Sequence, residues 1–481
     1  MKKGMLTRRG FITGVAATAA TVTIIPRTAF GANDRLNGAC IGCGGKGDGD
    51  TMDLFHNGVN IVALCDASDG PLDKKHKQIT DEIKKKNPTA DPGIKKYKDF
   101  RKLFDEMGDK FDVMTVSTPD HTHFPASMAG LLAGKHVFTQ KPMTHNIWEA
   151  RKLAEVAREK KLMTLMGIQG HAHEMDRNLC EWVWAGAIGN VTEVHYWTNR
   201  PVWPQGLDRP TKEEAIPPSL DWDLWLNVAP MRPYNGAYCP FKWRGWWDYG
   251  AGAMGDIGCP VMDAVFWALD LRFPTSVSAE TSDHHEETAP KWSIITYEFP
   301  ARGKLAPCKI LWHDGGKMPP VPKDDPGFKM NPECGAFLYG DKGTLWHDFY
   351  CDSARILPEA KHKEAGVGKI PKILPRCKGG HMTEFVTACK TGQPPFGANY
   401  EYSAALTEFV LLGNLAVRAG QKIEWDPKAM KVTNCAEANK WVRREPRKGW
   451  DQYYKGLADV PPLPNPEVGL PKATAEQAKP N

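Results

Sequence analysis

Between residues 35 and 170, short apolar segments alternate with segments of helical periodicity. The segment at 146–160 places Asn146 three residues before Glu149, a pattern typical of a helix start. Strands that alternate with helices indicate a parallel sheet, because parallel neighbours need a crossover connection. The sequence therefore predicts an α/β Rossmann domain, with a doubly wound parallel sheet, over residues 35–170. The predicted strands are 36–41, 61–65, 113–117, 136–139 and 163–166, and the helices include 124–133 and 146–160.

The composition changes after Gly170. Six of the seventeen tryptophans fall between Trp203 and Trp247, and several runs further on have the alternation typical of strands. These features predict an α+β domain with a large, mainly antiparallel open sheet at 171–460, followed by a loose tail at 461–481. The strand-like runs are 191–198, 293–299 and 309–312, with a hairpin at 337–346 and helices at 382–390 and 403–419.

The first 31 residues have the features of a twin-arginine signal peptide. Arg8 and Arg9 precede an uncharged apolar stretch at 14–25, and small residues at Ala29 and Gly31 fit a cleavage site. The stretch is shorter than the roughly 20 apolar residues that a membrane span needs. We therefore expect export to the periplasm and no membrane anchor after processing.

The signal segment accounts for the net charge of +5, since it carries five basic residues and no acidic ones. The mature chain is formally neutral, which gives no electrostatic case for binding nucleic acid. The twelve cysteines are scattered, and several lie in apolar strands, so buried free thiols are expected. Cys40 and Cys43 have CxxC spacing without a second pair, and no metal site is predicted.

A glycine turn follows the first predicted strand. Gly42, Gly44 and Gly47 form the pattern G-x-G-x-x-G, and the next strand ends at Asp66. Such a turn lets the backbone approach a pyrophosphate at a helix N-terminus, and the acid can bind the ribose hydroxyls. No arginine follows Asp66 to accept a 2′-phosphate, so NAD(H) is favoured over NADP(H). The alternative is a loop that only turns the chain.

Lys141 comes two residues after the end of the predicted strand at 136–139, and Pro142 prevents that strand from continuing. The carboxyl edge of an open α/β sheet is where such folds bind ligands. Beside a cationic nicotinamide and partly desolvated, this lysine is expected to have a pKa lowered toward neutrality. It could then exchange a proton with a substrate hydroxyl. The alternative is a solvated surface lysine.

Four stretches resemble the Gfo/Idh/MocA oxidoreductases, in the order seen in that family. They are IGCGGKG, STPDHTHFPASMAGLLAGKHVFTQKPMTHNIWEARKL, MGIQGH and WDYGAGAMGDIGCPVMDAVFWAL. The resemblance spans about residues 35–450. It implies a Rossmann domain followed by an α/β domain whose open sheet often mediates oligomerisation, and substrates that are sugars or cyclitols. We therefore expect a homo-oligomer that acts on a sugar or glycoside.

The resemblance also implies roles for individual residues. Lys141 matches the lysine of the family's Glu-Lys-Pro motif, with Gln140 in place of the glutamate. Asp256 matches an aspartate of the substrate pocket, but Pro260 stands where many members have a histidine that helps to deprotonate the alcohol. The expected cofactor-binding residues are Gly42, Gly44, Gly45, Lys46, Gly47, Asp66, Thr118, Pro119, His123, Gln140 and Lys141, where Thr118, Pro119 and His123 match a loop under the nicotinamide.

Because of Pro260, the general base is open at this point. Lys141 and Asp256 are the expected catalytic residues together with His171, and both His171 and His173 are candidates to replace the missing histidine. The tryptophan-rich region suits a sugar, since flat rings stack on C–H faces while charged groups bond hydroxyls. Simple loop packing is the alternative for most of those rings. The expected substrate-binding residues are His173, Arg200, Arg244, Trp246 and Asp248.

Three functions are compatible with these residues. The first is an exported oxidoreductase for a sugar hydroxyl, with NAD(H) bound tightly and recycled, because free nicotinamide is lacking outside the cytoplasm. The second is an NAD-dependent glycoside hydrolase, in which transient oxidation at C3 permits elimination of the aglycone. The third is a non-catalytic sugar- or nucleotide-binding protein on the same scaffold.

Overall fold

The computed structural model describes residues 35–283, 285–465 and 468. The signal peptide predicted over residues 1–31 lies outside the described residues, as does most of the predicted tail. Within the described residues, no helix is both long and apolar enough to span a membrane. The twelve cysteines are free and ten of them are buried, which confirms the expectation of buried thiols.

The first domain is a six-stranded parallel sheet in the order β3-β2-β1-β4-β5-β6, which confirms the predicted doubly wound fold. The strand missing from the sequence prediction is β3, whose residues Lys95, Lys96 and Tyr97 give no apolar signal because they form an exposed edge. The elements are β1 Asn37–Ile41, α1 Lys46–His56, β2 Asn60–Cys65, α2 Asp69–Lys86, β3 Lys95–Tyr97, α3 Phe100–Met107, β4 Val113–Val116, α4 Asp120–Leu132, β5 His136–Thr139, α5 Ile147–Glu159 and β6 Thr164–Met166.

The second domain is built on a nine-stranded sheet in the order β13-β12-β11-β7-β10-β9-β8-β14-β15. Only β7 and β10 pair in parallel among the described strands of this sheet, so the predicted antiparallel character is confirmed. The elements are α6 Glu174–Trp184, β7 Val191–Thr198, α7 Trp222–Leu226, α8 Gly252–Ala268, β8 Ser276–Thr281, β9 Ser293–Phe299, β10 Cys308–His313, β11 Cys334–Gly340, β12 Thr344–His347, β13 Ala354–Leu357, α9 Glu359–Glu364, α10 Gly380–Thr391, α11 Tyr400–Ala419, β14 Ile423–Asp426 and β15 Lys431–Val432.

Helix α11 joins the two domains. It packs against α5 of the first domain and against α8 and the sheet of the second. Arg151 on α5 and Glu408 on α11 form a two-pronged ion pair with no exposed side-chain surface. Trp425 donates to the same carboxylate, so the buried charges are paired as burial requires. This packing holds α8 against the carboxyl edge of the parallel sheet.

A long connection between β7 and α8, residues 199–251, crosses back to the first domain, and we call it the crossing segment. Its Leu220 forms an antiparallel bridge with Ser68, just beyond the end of β2. Asp69 donates its N–H to the Ser219 carbonyl at 2.9 Å, and Asp221 donates to the Ala67 carbonyl at 2.9 Å. The crossing segment buries its own aromatic cluster, which consists of Leu220, Trp222, Leu226, Ala229, Tyr238, Cys239, Trp243, Trp246 and Tyr249.

Candidate active site

The turn between β1 and α1 has glycines at positions where a side chain would collide with the backbone. A Cβ at Gly42 would lie 2.5 Å from the Ser117 carbonyl oxygen, and one at Gly47 would lie 2.1 Å from the Gly42 carbonyl oxygen. Gly45, with φ of 52°, precedes the helix and has open space around its would-be Cβ. The turn therefore leaves room at the N-terminus of α1, where a pyrophosphate is favoured.

Asp66 follows β2 and lies against this turn. Its Oδ2 accepts a hydrogen bond from the Cys43 N–H at 2.8 Å, and its Oδ1 accepts one from the Ser68 N–H at 2.9 Å. Burial raises the pKa of Asp66, although these backbone donors oppose the rise. A carboxylate at this point suits the hydroxyls of an adenosine ribose. The turn and the acid together fit NAD(H).

Gln140 is explained by a buried acid that sequence reasoning missed. Its Nε2 donates to Asp50 Oδ2 at 2.8 Å, and the Ser117 hydroxyl donates to the same oxygen at 2.7 Å. Lys46 pairs with the other oxygen at 3.0 Å. A glutamate at position 140 would bring a second carboxylate onto Asp50, which like-charge repulsion disfavours. The glutamine thus connects the strand that leads to Lys141 with the helix of the glycine turn.

The loop after β4 is fixed to the loop after β5. His123 is buried, and its two ring nitrogens lie 2.8 Å from the carbonyl oxygens of Thr118 and Pro142. Burial lowers the pKa of His123. The Thr118 hydroxyl is buried without a hydrogen-bond partner among the described residues, and Pro119 directly precedes α4. His123 therefore positions the two loops that border the glycine turn and Lys141.

Lys141 meets Asp256 where β5 ends and α8 begins. The Lys141 Nζ donates to Asp256 Oδ1 at 2.8 Å and also to the Asp256 carbonyl. The two side chains are 19% and 11% exposed. An ion pair that is mostly sheltered from water is stronger than one at the surface. The two catalytic residues expected from the sequence are therefore in direct contact.

Two arginines complete the surroundings of Asp256. Arg244 Nε lies 3.2 Å from Asp256 Oδ1, and Arg200 Nε lies 3.8 Å from Asp256 Oδ2. Burial alone would raise the pKa of Asp256, but Lys141 and these arginines outweigh it, so this pKa lies below its usual value. Asp256 is thus an ionised anchor among three cations.

Asp120 and Tyr350 also belong to this region and are not among the residues expected from the sequence. Asp120 Oδ1 lies 3.3 Å from Arg244 Nη1, and its Oδ2 accepts from the Ala251 N–H at 3.0 Å. Burial raises the pKa of Asp120, and Arg244 opposes the rise. Burial likewise raises the pKa of Tyr350, with Asp256 adding to the rise. Asp120 stands next to Pro119 in the motif TPDHTH, which was the signal that could have found it.

Several expected residues lie elsewhere. Trp246 is 1% exposed, and its Nε1 donates to the Ala237 carbonyl, so its ring packs in the crossing segment and cannot stack on a sugar. This corrects its assignment to substrate binding. Asp248 pairs with Arg232, also of the crossing segment. His173 pairs with Asp352 at 2.6 Å near the surface.

His171 is not placed to act on a substrate. It is 1% exposed, its ring stacks on Trp267 at 4.6 Å between centroids, and its Nδ1 lies 2.8 Å from Asp263 Oδ2. Because a general base must reach the proton that it removes, this burial corrects the catalytic assignment. Pro260 lies inside α8, is buried and offers no proton acceptor on its side chain.

Two family models match most of the chain. Residues 36–168 match the model described as oxidoreductase family, NAD-binding Rossmann fold. Residues 175–452 match the C-terminal alpha/beta domain of the same oxidoreductase family. The glycine turn and Asp66 lie within the first match, and Asp256 lies within the second.

Curated relatives are similar over short segments. The chain is 36% identical over 80 residues to the D-xylose 1-dehydrogenase (NADP(+)) of Hypocrea jecorina, covering 17% of this chain and 20% of that protein. It is 26% identical over 134 residues to a glycosyl hydrolase family 109 protein of Shewanella pealeana, covering 28% of each. The chain thus spans less than a third of the length of either relative.

Solved structures share the fold over most of the chain. The WlbA dehydrogenase of Bordetella pertussis, in complex with NADH and UDP-GlcNAcA, has a TM-score of 0.54 at 14% identity and covers 82% of this chain and 99% of that one. The aldose-aldose oxidoreductase of Caulobacter crescentus, complexed with glycerol, has a TM-score of 0.52 at 16% identity, with 82% and 100% covered. With both family models matched, the chain belongs to the Gfo/Idh/MocA oxidoreductase family and carries its NAD-binding Rossmann domain.

Proposed function

We propose that this protein oxidises or reduces a secondary hydroxyl or keto group of a sugar or glycoside with NAD(H). The observation that carries the proposal is the contact of Lys141 with Asp256 at the carboxyl edge of the parallel sheet. The glycine turn at Gly42 and Gly47 follows β1, and only β4 separates β1 from β5, the strand that leads to Lys141. The relative named D-xylose 1-dehydrogenase (NADP(+)) supports a sugar substrate.

In this proposal, Lys141 holds and moves the proton of the reacting hydroxyl. A neutral amine can accept that proton during oxidation, and the ammonium can return it during reduction. The ionised Asp256 fixes the position of Nζ, because it accepts a hydrogen bond from it. When NAD(H) is bound, the chemistry supplied is hydride exchange with the carbon that carries the hydroxyl.

The two arginines beside Asp256 are proposed to bind the substrate. The side chains of Arg200 and Arg244 are 28% and 21% exposed, so their donors remain accessible. The Arg244 guanidinium also lies over the Trp203 and Trp243 rings, at 5.6 and 4.2 Å from their centroids. Charged donors beside apolar ring surfaces match the hydroxyls and C–H faces of a sugar.

We also propose that the protein is exported with NAD(H) already bound and recycles it on the enzyme. The export part depends on the twin-arginine pattern at Arg8 and Arg9. The retention part is supported by the crossing segment, which is hydrogen-bonded to residues 67–69 directly after Asp66. A strand-like segment fastened beside the ribose-binding acid would slow release of an adenosine held there.

Product analysis with the purified mature protein tests this proposal. The protein is denatured to measure released nicotinamide by absorbance and mass, and the intact form is incubated with a panel of glycosides and a keto-sugar acceptor. We expect bound nicotinamide and a keto-glycoside two mass units below its substrate. A protein that exchanges no hydride with deuterium-labelled sugars across the panel would instead be a non-catalytic binding protein.

Glycoside hydrolysis is the second candidate, favoured by the similarity to glycosyl hydrolase family 109 proteins of Shewanella. That route needs an additional base for the C2 proton. His171 and His173 are the candidates for this role. The burial of His171 against Trp267 weighs against it, and His173 pairs with Asp352 near the surface. Incubation with a nitrophenyl glycoside separates the two reactions: release of nitrophenol without an acceptor favours hydrolysis, and acceptor-dependent keto product favours net redox.

A further inference from the structure

Three ligand-type side chains meet in the interior of the second domain, apart from Lys141 and Asp256. One donor atom each of His171, Asp176 and Asp263 lies within 4.8 Å of the other two. The three residues are 1%, 2% and 0% exposed. They come from three elements, since His171 lies in a helical turn after β6, Asp176 in α6 and Asp263 in α8.

Two carboxylates this close and this deeply buried repel each other unless a positive charge lies between them. The neighbouring Arg177 does not supply it by hydrogen bonding. Arg177 donates instead to the carbonyl oxygens of His171, His173 and Pro375. Arg177 offsets part of the negative charge through space, and a proton shared by the cluster or a bound cation would supply the rest.

A second observation favours the cation. Asp176 Oδ1 is buried and has no hydrogen-bond partner among the described residues. His171 Nε2 is likewise buried without a partner among the described residues. Asp263 accepts from Tyr402 at Oδ1 (2.6 Å), and its Oδ2 lies 2.8 Å from His171 Nδ1, which leaves lone pairs on both oxygens. A buried oxygen without a partner costs free energy that a metal ion would recover.

We propose that His171, Asp176 and Asp263 bind a divalent first-row transition-metal ion. One imidazole nitrogen and two carboxylate oxygens form a mixed donor set that such ions accept. The three donors leave further coordination positions open. The site is distinct from the proposed catalytic pair and does not depend on the proposed oxidoreductase function.

The position of the site indicates what the ion does. Asp263 lies two helical turns after Asp256 on α8. Cys351 follows Tyr350, whose backbone carbonyl lies against Gly170, next to His171. The ion would therefore fix α6, α8 and the turn around residue 171 relative to one another, behind the active site. We assign it a structural role, because all three protein ligands are closed off from solvent.

Metal content and metal-dependent stability test this proposal. The full mature protein, grown with added zinc and manganese, is measured by plasma mass spectrometry, stripped with a chelator and titrated with ZnCl2 and MnCl2 by calorimetry. We expect about one metal ion per chain, a lower Tm after chelation and recovery when the metal is returned. Asp176→Asn should weaken binding by more than about tenfold, since it removes a ligand charge.

His173→Gln is the matched control, because it changes the same residue type in the same turn. His173 is partly exposed and paired with Asp352, so its loss should leave metal content unchanged. The proposal is overturned if the wild-type protein binds neither metal and its Tm does not respond to either. A shared proton is then the correct account, and Asp176→Asn, which mimics a protonated carboxyl group, should leave the stability close to that of the wild type.

Discussion

At the scale of single residues, Lys141 is proposed to act on the substrate while Lys135 provides its matched control. Both flank β5, but Lys135 precedes the strand and donates to the Phe111 carbonyl at 2.7 Å. Lys141→Met should lower kcat by about 10²- to 10⁴-fold, because a positioned proton carrier is lost. Steady-state assays with a reactive glycoside measure this.

Lys135→Met should leave kcat unchanged, since its ammonium lies at the opposite edge of the sheet. Bound nicotinamide should be equal in both variants, which separates loss of proton transfer from loss of cofactor. Equal kcat values in the two variants would refute the catalytic role of Lys141.

Asp256 predicts a specific dependence of stability on pH. Its pKa is depressed in the folded protein by Lys141 and the two arginines, despite burial. A depressed carboxyl pKa contributes stability above the unfolded value of about 4, and this contribution is lost as the pH falls through the folded pKa. Asp256→Asn should therefore lower the free energy of unfolding, on the order of 3 kcal/mol at neutral pH.

The difference between wild type and Asp256→Asn should be constant above about pH 5 and should shrink below about pH 4. Urea unfolding at several pH values measures it. A difference that grows on acidification would contradict the sign of the pKa shift.

Gln140 and Asp50 should behave as a coupled pair. Gln140→Glu places a second carboxylate against Asp50 and should lower the free energy of unfolding by about 1–3 kcal/mol. Adding Asp50→Asn to that variant should restore most of the loss, because one charge is removed. A double-mutant cycle by urea unfolding measures the coupling, and additive effects would contradict the contact.

The residues of the site differ in how far their roles can be predicted from the sequence. Lys141 and Asp256 follow from a strand end and a family motif. Asp50 could not be recognised, because its importance comes from Gln140 and Lys46, which only the folded chain brings to it. Trp246 and His171 were misassigned because composition does not reveal which side of an aromatic or polar cluster faces solvent.

At the scale of elements, two glycines near the start of α1 can be compared by the same substitution. Gly47→Ala would place a Cβ 2.1 Å from the Gly42 carbonyl oxygen, so the turn must move. We expect a lower Tm and loss of bound nicotinamide, measured by thermal unfolding and by absorbance after denaturation. Gly49→Ala meets open space on the same helix and should raise stability by up to about 1 kcal/mol.

If Gly47→Ala kept its full nicotinamide content, the turn would not be the dinucleotide site.

The strands of this domain were predictable because buried parallel strands are nearly continuous apolar runs. The exception, β3, is an edge of two lysines and a tyrosine, and such a strand is defined only by its neighbour β2.

At the scale of the whole molecule, the crossing segment connects the domains through backbone hydrogen bonds. Asp69→Pro removes the N–H that donates to Ser219, at a first helical position where proline is tolerated. The residue before it, Ser68, is already extended, as a residue before proline must be. We expect bound nicotinamide to dissociate about five- to tenfold faster, in line with the loss of roughly 1 kcal/mol.

Asp69→Ala is the control for Asp69→Pro, because it also removes the exposed ion pair with Lys98 but keeps the N–H. Cofactor release into an excess of a scavenging dehydrogenase, followed by fluorescence, measures both rates. Equal rates would mean that the crossing segment has no part in retention.

Export to the periplasm and assembly into a homo-oligomer stay predictions at this scale. The twin-arginine pattern lies outside the described residues, and the expectation of a homo-oligomer depends on the resemblance of the nine-stranded sheet to the open sheet of the family. The course of the crossing segment itself was not predictable, because its pairing joins residues about 150 positions apart.

That pairing has a consequence for biogenesis. Ser68 leaves the ribosome well before Leu220, so for a time the first domain stands open where the dinucleotide would enter. Once residues 219–221 have paired with residues 67–69, we expect the dinucleotide to enter slowly. A polypeptide that folds where nicotinamide cofactor is abundant should therefore bind it and release it very slowly. A polypeptide that is refolded without the cofactor should bind it afterwards only as fast as local unfolding separates the two paired segments.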